Sequence, residues 1–294
     1  MPYNSVVCVK QVPDTKKITG NAMREDGTVN RAALPAIFNP EDMNALEAAL
    51  RVRDENGGTV SVVTMGLPSA CEVLREALVR GADRAILITD RRAAASDTLA
   101  TSYILSCAVR RIAPDLVFCG RQAIDGDTAQ VGPQLAEKLG FALMTYLDGD
   151  ARMEGRRARV RRNTGSGTET ALADLPVLFT VMDSANEPRP PAMKRVMKFK
   201  KARAAVEIGK ETAGDAAEAE KRRAELERRS LLIEQWNLDD INADLQWCGG
   251  SGSPTRVHRI QSVVLTGGDY KEYGPSQKDV SRLIGELIED HTIG

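Results

Sequence analysis

Short apolar runs alternate, along the first half of the chain, with longer segments in which apolar residues recur at helical spacing. The predicted strands are Ser5–Val12, Thr59–Met65, Arg84–Thr89 and Leu116–Cys119, and the predicted helices are Pro40–Asn56, Pro68–Arg80, Asp97–Ile112 and Thr128–Leu139. Strands of about four to eight residues that alternate with helices of about ten or more are typical of βαβ units. The pattern therefore predicts an α/β fold with a parallel sheet buried on both faces.

The pattern changes between residues 146 and 182. Arg152–Arg162 and Thr168–Leu172 flank a Thr-Gly-Ser-Gly sequence, which predicts an antiparallel hairpin with a glycine-rich turn. Six arginines lie in the first of these segments. They fit either a functional basic patch or, as we prefer, the solvated face of an edge hairpin, where positive charge prevents further strand pairing. Pro176–Met182 then predicts a buried strand.

Beyond Met182 the regular alternation ends. Prolines exclude a helix over residues 186–191, and residues 194–203 are strongly basic. The remaining predicted elements are a charged helix over Asp215–Trp236, an extended segment over Arg256–Leu265 and a closing helix over about Ser276–His291. The closing helix has an apolar stripe with little globular context, which indicates an arm that packs on another chain.

Composition excludes several classes of protein. The 294 residues include 40 Lys+Arg and 41 Asp+Glu, for a net charge of −1, which argues against a general nucleic-acid binder. Two Trp, five Tyr and five Phe residues leave few rings for stacking on bases. No apolar run approaches the roughly 20 residues that span a bilayer, and no signal peptide is evident.

The five cysteines, Cys8, Cys71, Cys107, Cys119 and Cys248, are scattered without a C-x-x-C pair. We expect buried free thiols rather than a disulfide or a metal site. The two histidines, His258 and His291, are far apart in sequence, which gives little support to a histidine-based catalytic dyad. These features predict a soluble protein of the reducing cytoplasm, with no metal.

Candidate binding residues follow the predicted strands, because ligands of open parallel sheets bind at the carboxyl ends of the strands. The segment Gly120–Pro133 leaves a buried strand and starts a helix, with Asp127 and Gln130 spaced as in a capping box. Arg121, together with the backbone amides of this helix start, is suited to hold a pyrophosphate. Neither a P-loop nor a G-x-G-x-x-G sequence follows the first strand.

Two other helix starts are candidates for the same crevice. In the sequence Asn39-Pro-Glu-Asp42, Asn is placed to cap the helix, Pro to occupy its first position and two acids to complement the dipole. A structural role and a role in binding an adenosine ring or ribose hydroxyls are both open, because the two carboxylates would repel phosphates. Asp97 is a predicted cap, and Thr98 and Thr101 are placed to face the crevice.

Seven motifs, in order, resemble the β subunit of electron-transferring flavoproteins over nearly the whole chain, apart from residues 215–229. These motifs are Val9–Thr15, Asn39–Asp42, Val63–Gly66, Gly81–Asp83, Gly120–Pro133, Asn186–Arg189 and Ser251–Thr255. The segments Ser96–Thr101 and Asp125–Gly132 are more similar to the electron-bifurcating branch of the family than to its mitochondrial form.

The resemblance implies a parallel Rossmann-like nucleotide-binding sheet with an antiparallel hairpin and an extended C-terminal arm. It implies an α/β nucleotide-binding domain over residues 1–183, a partner-recognition loop over 184–205 and, over 206–294, a helical insertion and an arm that packs on the α subunit. In the bifurcating branch, FAD in the β subunit accepts a hydride from NADH. One electron then goes to ferredoxin or flavodoxin, and the other goes through the FAD of the α subunit to an acyl-CoA dehydrogenase-type enzyme.

The resemblance also implies which residues bind the cofactor, and it requires no catalytic side chain. The implied contacts are Val9, Asn39, Pro40, Glu41, Asp42, Met65, Asp97, Thr98, Thr101, Arg121, Gln122, Asp125, Gly126, Asp127, Thr128, Ala129, Gln130 and Val131. Met193 is implied as the apolar anchor for the dehydrogenase, although a basic solvated linker is an alternative for this segment.

Two other functions remain open at this stage. One is a simple electron-transfer β subunit that holds a structural AMP and only relays electrons. The other is a nucleotide-binding stress protein or ATP hydrolase, because related sheets bind ATP.

Overall fold

The computed structural model describes residues 1–14, 34–255 and 271–289. Its strands are β1 (Tyr3–Cys8), β2 (Gln11–Pro13), β3 (Ala36–Phe38), β4 (Gly58–Met65), β5 (Arg84–Ile88), β6 (Leu116–Gly120), β7 (Ala142–Leu147), β8 (Arg152–Glu154), β9 (Arg157–Asn163), β10 (Thr168–Asp174), β11 (Val177–Val181), β12 (Arg203–Ala204) and β13 (Leu232–Trp236). Its helices are α1 (Pro40–Asn56), α2 (Cys71–Arg80), α3 (Thr98–Ile112), α4 (Val131–Leu139), α5 (Met193–Phe199), α6 (Ala205–Glu211), α7 (Ala216–Arg228) and α8 (Gln277–Glu289).

Eleven strands of the described residues form one sheet, in the order β10-β9-β7-β11-β6-β1-β4-β5-β13-β12, with β8 beside β9. All pairs from β7 to β12 along this order are parallel. The predicted α/β fold with a mostly parallel sheet is therefore confirmed. The predicted strand Ser5–Val12 is divided, because the chain leaves the sheet at Cys8 and residues 11–13 pair with β3 in a separate antiparallel ladder.

Helices cover both faces of the sheet, as predicted. Leu50 of α1 and Leu74 of α2 lie in one apolar cluster together with Phe118 of β6. Ile104 of α3 and Leu135 of α4 lie in a second cluster, which contains the side chains of the other sheet face. From β1 the chain proceeds to β4 and β5 on one side, and then crosses through α3 to β6 on the other. The strand order therefore reverses between β1 and β6, where α/β sheets bind their ligands.

The predicted hairpin is confirmed at one edge of the sheet. β9 and β10 pair antiparallel, and β10 is the last strand on that side. Along β9 the exposed Arg157, Arg159 and Arg161 alternate with the buried Ala158 and Val160. The arginines thus form the solvated face of the edge hairpin, while its free edge belongs to β10.

The predicted helix over Asp215–Trp236 is wrong in its last part. α7 ends at Arg228, and the chain turns through Ser230, whose φ is +53°. Residues 232–236 then form β13, which pairs with β5, and Leu231 and Ile233 are buried in the core. A strand thus forms because its apolar side chains are buried in the core when it pairs with β5. One strand from beyond residue 205 therefore belongs to the central sheet, while the predicted domain boundaries stay predictions.

α8 lies within the predicted closing helix, and its apolar stripe is uncovered. Val280, Ile284 and Ile288 are 45%, 45% and 52% exposed. The predicted extended segment over residues 256–265 and both histidines lie outside the described residues. Within the described ranges, no helix is long and apolar enough to cross a membrane.

Candidate functional site

The carboxyl ends of β1 and β6 are joined by the side chain of Asp42, in the first turn of α1. Its Oδ2 accepts a hydrogen bond from the backbone N–H of Lys10 at 2.8 Å, and its Oδ1 accepts one from that of Gly120 at 3.1 Å. A Cβ atom at position 120 would lie 2.4 Å from Oδ1 of Asp42, so glycine is required for this approach. Burial raises the pKa of Asp42 from 3.8 to about 7, although hydrogen bonds from Asn39, Lys10 and Gly120 oppose the shift.

Glu41 binds the next two residues of the loop that follows β6. Its Oε1 accepts from Nε and Nη2 of Arg121 at 3.0 and 2.8 Å, and its Oε2 accepts from the backbone N–H of Gln122 at 2.7 Å. The hydrogen bond from Arg121 to Glu41 raises the pKa of the guanidinium. One edge of Arg121 is therefore already bound by a carboxylate, and only the rest of the group is available for a pyrophosphate.

Asn39 completes this set of contacts. Its Nδ2 donates to the carbonyl of Gln122 at 2.9 Å, and its Oδ1 accepts from the N–H of Ile124 at 3.2 Å. Its side chain makes no capping hydrogen bond to α1, so the predicted capping bond is wrong. The prediction that Pro40 occupies the first turn is confirmed.

Lys10 reaches across the crevice to the same loop. Its Nζ lies 2.7 and 2.8 Å from the two carboxylate oxygens of Asp125. Lys10 was a candidate because it directly follows the first strand, but the family resemblance did not imply it as a cofactor contact. Its only signal in the sequence is its place directly after Val9, at the end of an apolar run, because Asp125 is brought opposite to it by the fold alone.

The start of α4 differs from the predicted capping box. The helix begins at Val131 rather than at Thr128, and the side chain of Gln130 makes no capping hydrogen bond. Asp127 and Ala129 have φ values of +48° and +51°, which are incompatible with a right-handed helix. The first amides of α4 thus receive no side-chain cap, which is the arrangement that suits an anion.

The start of α3 is capped as predicted. Oδ1 of Asp97 accepts from the N–H of Ala100 at 2.9 Å, and Oδ2 accepts from that of Thr255 at 3.0 Å. Burial raises the pKa of Asp97, but these backbone hydrogen bonds outweigh it, so the pKa lies below 3.8. The N–H of Asp97 donates to Oγ of Ser253 at 2.8 Å. The segment 249–255 therefore packs on this helix start.

A glutamine links the starts of α3 and α4. Nε2 of Gln134 donates to Oγ1 of Thr98 at 3.4 Å, and Oγ of Ser102 donates to Oε1 of Gln134 at 3.3 Å. Thr101 follows within the same turn of α3, where its N–H bonds to the carbonyl of Asp97. Sequence reasoning missed Gln134, although it is a polar residue in the otherwise apolar first turns of α4.

The remaining predicted contacts lie at the same edge of the sheet. Val9 directly follows β1, where its N–H bonds to the carbonyl of Val63 at 2.9 Å, and Met65 is the last residue of β4. A Cβ atom at Gly126 would meet no atom within 4 Å, so the loop has free space there. The structure thus brings the predicted residues together, while their contact with a nucleotide stays a prediction.

A cavity of about 960 Å³ lies on the other side of α1, between α1, α2 and α6. Pro40 is the one predicted nucleotide contact among its lining residues. Its charged groups pair with one another, as in Arg75–Glu207 at 2.9 Å and Arg203–Glu211 at 2.6 Å. This cavity therefore offers a ligand little uncompensated charge.

The predicted docking residue Met193 is 72% exposed at the start of α5, and Met197 is 54% exposed one turn later. The helix is held from its other side by Arg195, whose Nε and Nη2 donate to the carbonyls of Leu78 and Ala82 at 2.8 Å each. The docking of a partner on Met193 stays a prediction.

All five cysteines are free and buried, as predicted. Among residues 1–14, 34–255 and 271–289, no group of three or more His, Cys, Asp or Glu side chains is arranged to hold a metal ion.

Comparison with known proteins gives consistent similarities. A family model described as "Electron transfer flavoprotein domain" matches residues 26–213. The chain is 46% identical over 290 residues to the electron transfer flavoprotein subunit beta of Thermoanaerobacterium thermosaccharolyticum, covering 99% of this chain and 100% of that protein. It is 40% identical over 297 residues to protein FixA of Azorhizobium caulinodans, covering 97% and 93%. It is 39% identical over 291 residues to subunit CarD of the caffeyl-CoA reductase-Etf complex of Acetobacterium woodii, covering 98% and 99%.

Proposed function

The chain belongs to the electron transfer flavoprotein family, and we propose that it is a β subunit of the electron-bifurcating branch, with FAD in the crevice between β1 and β6. It works in a heterodimer with an α subunit that carries another FAD. When bound, the FAD of the β subunit supplies the capacity to accept a hydride from NADH and to divide the electron pair between ferredoxin or flavodoxin and, through the α-subunit FAD, an acyl-CoA dehydrogenase-type enzyme.

The observation that carries this proposal is the pair of helix starts linked by Gln134. The uncapped start of α4 suits one phosphate group. The start of α3, held beside it through Thr98, supplies hydroxyl groups for the part of a dinucleotide that extends beyond the first phosphate. AMP, which has a single phosphate, would not require the start of α3 as a second binding element.

The chain's own residues would bind and orient the cofactor rather than react with it. The backbone amides of residues 128–132 would hold the phosphates, together with those donor groups of Arg121 and Lys10 that their ion pairs with Glu41 and Asp125 leave available. The free space beside Gly126 admits a chain of atoms close to the backbone. In this scheme, no side chain serves as a general acid or base.

Two exposed surfaces support the proposed partners. The apolar stripe of α8 is suited to pack on the α subunit, because an uncovered stripe of this kind marks a protein interface. Met193, with the neighbouring basic residues, is suited to dock an acyl-CoA dehydrogenase-type enzyme. The similarity to a subunit of the caffeyl-CoA reductase-Etf complex agrees with a partner that acts on an acyl-CoA.

Five free thiols agree with a reducing cytoplasm.

The second candidate is a simple β subunit with structural AMP. It is favoured by the uncapped start of α4, which suits one phosphate without any contribution from α3. In that case, Thr98 and Thr101 would face solvent or the partner and would contact no cofactor.

The nucleotide content of the purified αβ complex separates the two candidates. We expect two FAD per heterodimer and reduction of flavin by NADH, measured by chromatography of the released nucleotides and by absorbance at the flavin band. One FAD together with one AMP would contradict the bifurcating assignment. The isolated α subunit is the control that fixes how much FAD belongs to that subunit.

A further inference from the structure

We propose that Glu41 and Asp42 are positioning residues, which hold the loop of residues 120–124 in a binding shape and do not contact the nucleotide themselves. This inference rests on the proposed nucleotide site. It assigns a role to two carboxylates whose negative charge would otherwise disfavour phosphate in the crevice.

The first support is the register of the contacts. The backbone N–H groups of Gly120, Gln122 and Ile124 donate to Asp42, Glu41 and Asn39 at 3.1, 2.7 and 3.2 Å. Every second residue of the loop is therefore fixed by a side chain of the α1 start, as if the loop were paired with another strand. A nucleotide contact alone would not require this regular spacing.

The second support is that every oxygen of both carboxylates already accepts a hydrogen bond within the protein. Each oxygen of Asp42 accepts one backbone N–H, and each oxygen of Glu41 accepts from Arg121 or Gln122. Glu41 and Asp42 are only 6% and 7% exposed. The ion pair with Arg121 also offsets the charge of Glu41, which reduces its repulsion of a phosphate.

The third support is the path from these contacts to the phosphate site. The stretch that Glu41 and Asp42 hold leads directly to Ala123, whose carbonyl accepts from the N–H groups of Gly126 and Asp127 at 3.3 and 2.9 Å. This turn sets the direction of residues 127–130 and so the start of α4. Loss of a carboxylate acceptor would move the binding amides without removing any ligand contact.

The test measures nucleotide selectivity in the nucleotide-free αβ complex, by titration calorimetry with AMP, 2′-deoxy-AMP and IMP. Asp42→Asn places an amide donor against a backbone donor, so we expect all three affinities to fall by the same factor, about tenfold or more. Glu41→Ala is expected to act in the same way, and Glu41→Gln to recover much of the affinity, because Gln keeps an acceptor for the N–H of Gln122. Asp83→Asn is the matched control, since Asp83 also accepts from a backbone N–H, that of Val60 at 2.9 Å, but at the opposite edge of the sheet.

A direct contact predicts a different result. If the variants weaken AMP but leave 2′-deoxy-AMP or IMP unchanged, a carboxylate binds the ribose or the base, and the positioning role is wrong. Unchanged affinity for all three nucleotides would also overturn it. If Asp42→Asn does not fold, the Glu41 pair decides. Failure of the wild-type complex to bind any of the three would contradict the proposed nucleotide site instead.

Discussion

The loop that follows β6 is held by side chains from α1, about 80 residues earlier in the chain, whereas the described side-chain bonds of α8 are made with residues close to it in sequence. The carboxyl groups show the same contrast. Burial raises the pKa of Asp42 to about 7, while hydrogen bonds from Lys271 and Tyr273 lower the pKa of Glu286, in α8, to about 2. The crevice thus gains its shape from the chain's own core, whereas the apolar stripe of α8 is exposed, as the proposed packing on an α subunit requires.

The strongest test of this contrast is to place charge on the stripe of α8. For Val280→Asp/Ile284→Asp we expect the affinity for the α subunit to fall at least about a hundredfold, because apolar area is lost and two charges would be buried. Thermal unfolding of the isolated chain should be unchanged. Lys278→Asp, on the opposite face of the helix, changes the charge by the same two units and is the control, and analytical ultracentrifugation measures the assembly. Wild-type affinity in the double variant would show that α8 is not the interface.

The crevice is tested by filling the space in which Asp42 meets Gly120. Gly120→Ala places a Cβ atom 2.4 Å from Oδ1 of Asp42, so we expect a loss of about 1–3 kcal/mol in the free energy of unfolding. Gly126→Ala is the matched control, because a Cβ atom there meets nothing within 4 Å. Urea unfolding of both variants measures the difference. Equal stabilities would mean that the contact between α1 and the loop is not tight.

The crevice also predicts a dependence of stability on pH. Asp42 has a pKa of about 7 in the folded chain against 3.8 when unfolded, so between about pH 4 and 7 the folded state holds a proton that the unfolded state releases. Its contribution to the free energy of unfolding therefore falls as pH rises through this window and is constant above it. Urea unfolding of wild type and Asp42→Asn at several pH values should show a difference that declines from pH 5 to pH 7. A constant difference would contradict the raised pKa.

At lower pH we expect a second dependence of stability on pH, which comes from Glu286 in α8. The pKa of Glu286 lies below its ordinary value, so the stability that Glu286 contributes is present above about pH 4.5 and is lost as pH falls toward 2. The two regions therefore respond in separate pH ranges and with opposite sign.

Local patterns predicted the elements whose partners are close in sequence. The alternation of strands and helices, the cap of α3 by Asp97 and the edge hairpin with its arginines all follow from spacing and side-chain type within about 20 residues. The resemblance to a known family supplied the predicted site residues, and the fold brings them to one edge of the sheet.

The features that sequence reasoning got wrong depend on distant parts of the chain. The apolar residues of 232–236 follow a charged helix at a spacing that would continue it. They form a strand instead because they pair with β5, whose contact with them is not visible in the local sequence. Asparagine is a common capping residue, but the side chain of Asn39 donates a hydrogen bond to the loop that follows β6 instead of capping α1. Asp127 and Gln130 have the spacing of a capping box, yet Asp127 has a positive φ. It follows a turn at Ala123, whose neighbours Gln122 and Ile124 are held by Glu41 and Asn39.

The segment between β11 and β12 is held at several points by polar contacts, in which the side chains of Met193 and Met197 take no part. Asn44 of α1 donates to the carbonyls of Asp183 and Asn186, and Arg195 binds the end of α2. Residues at the exposed positions of Met193 and Met197 can therefore change during evolution at little cost to the fold. In the proposed docking role, exchange of a few surface residues would change the partner while the crevice between β1 and β6 stays as it is.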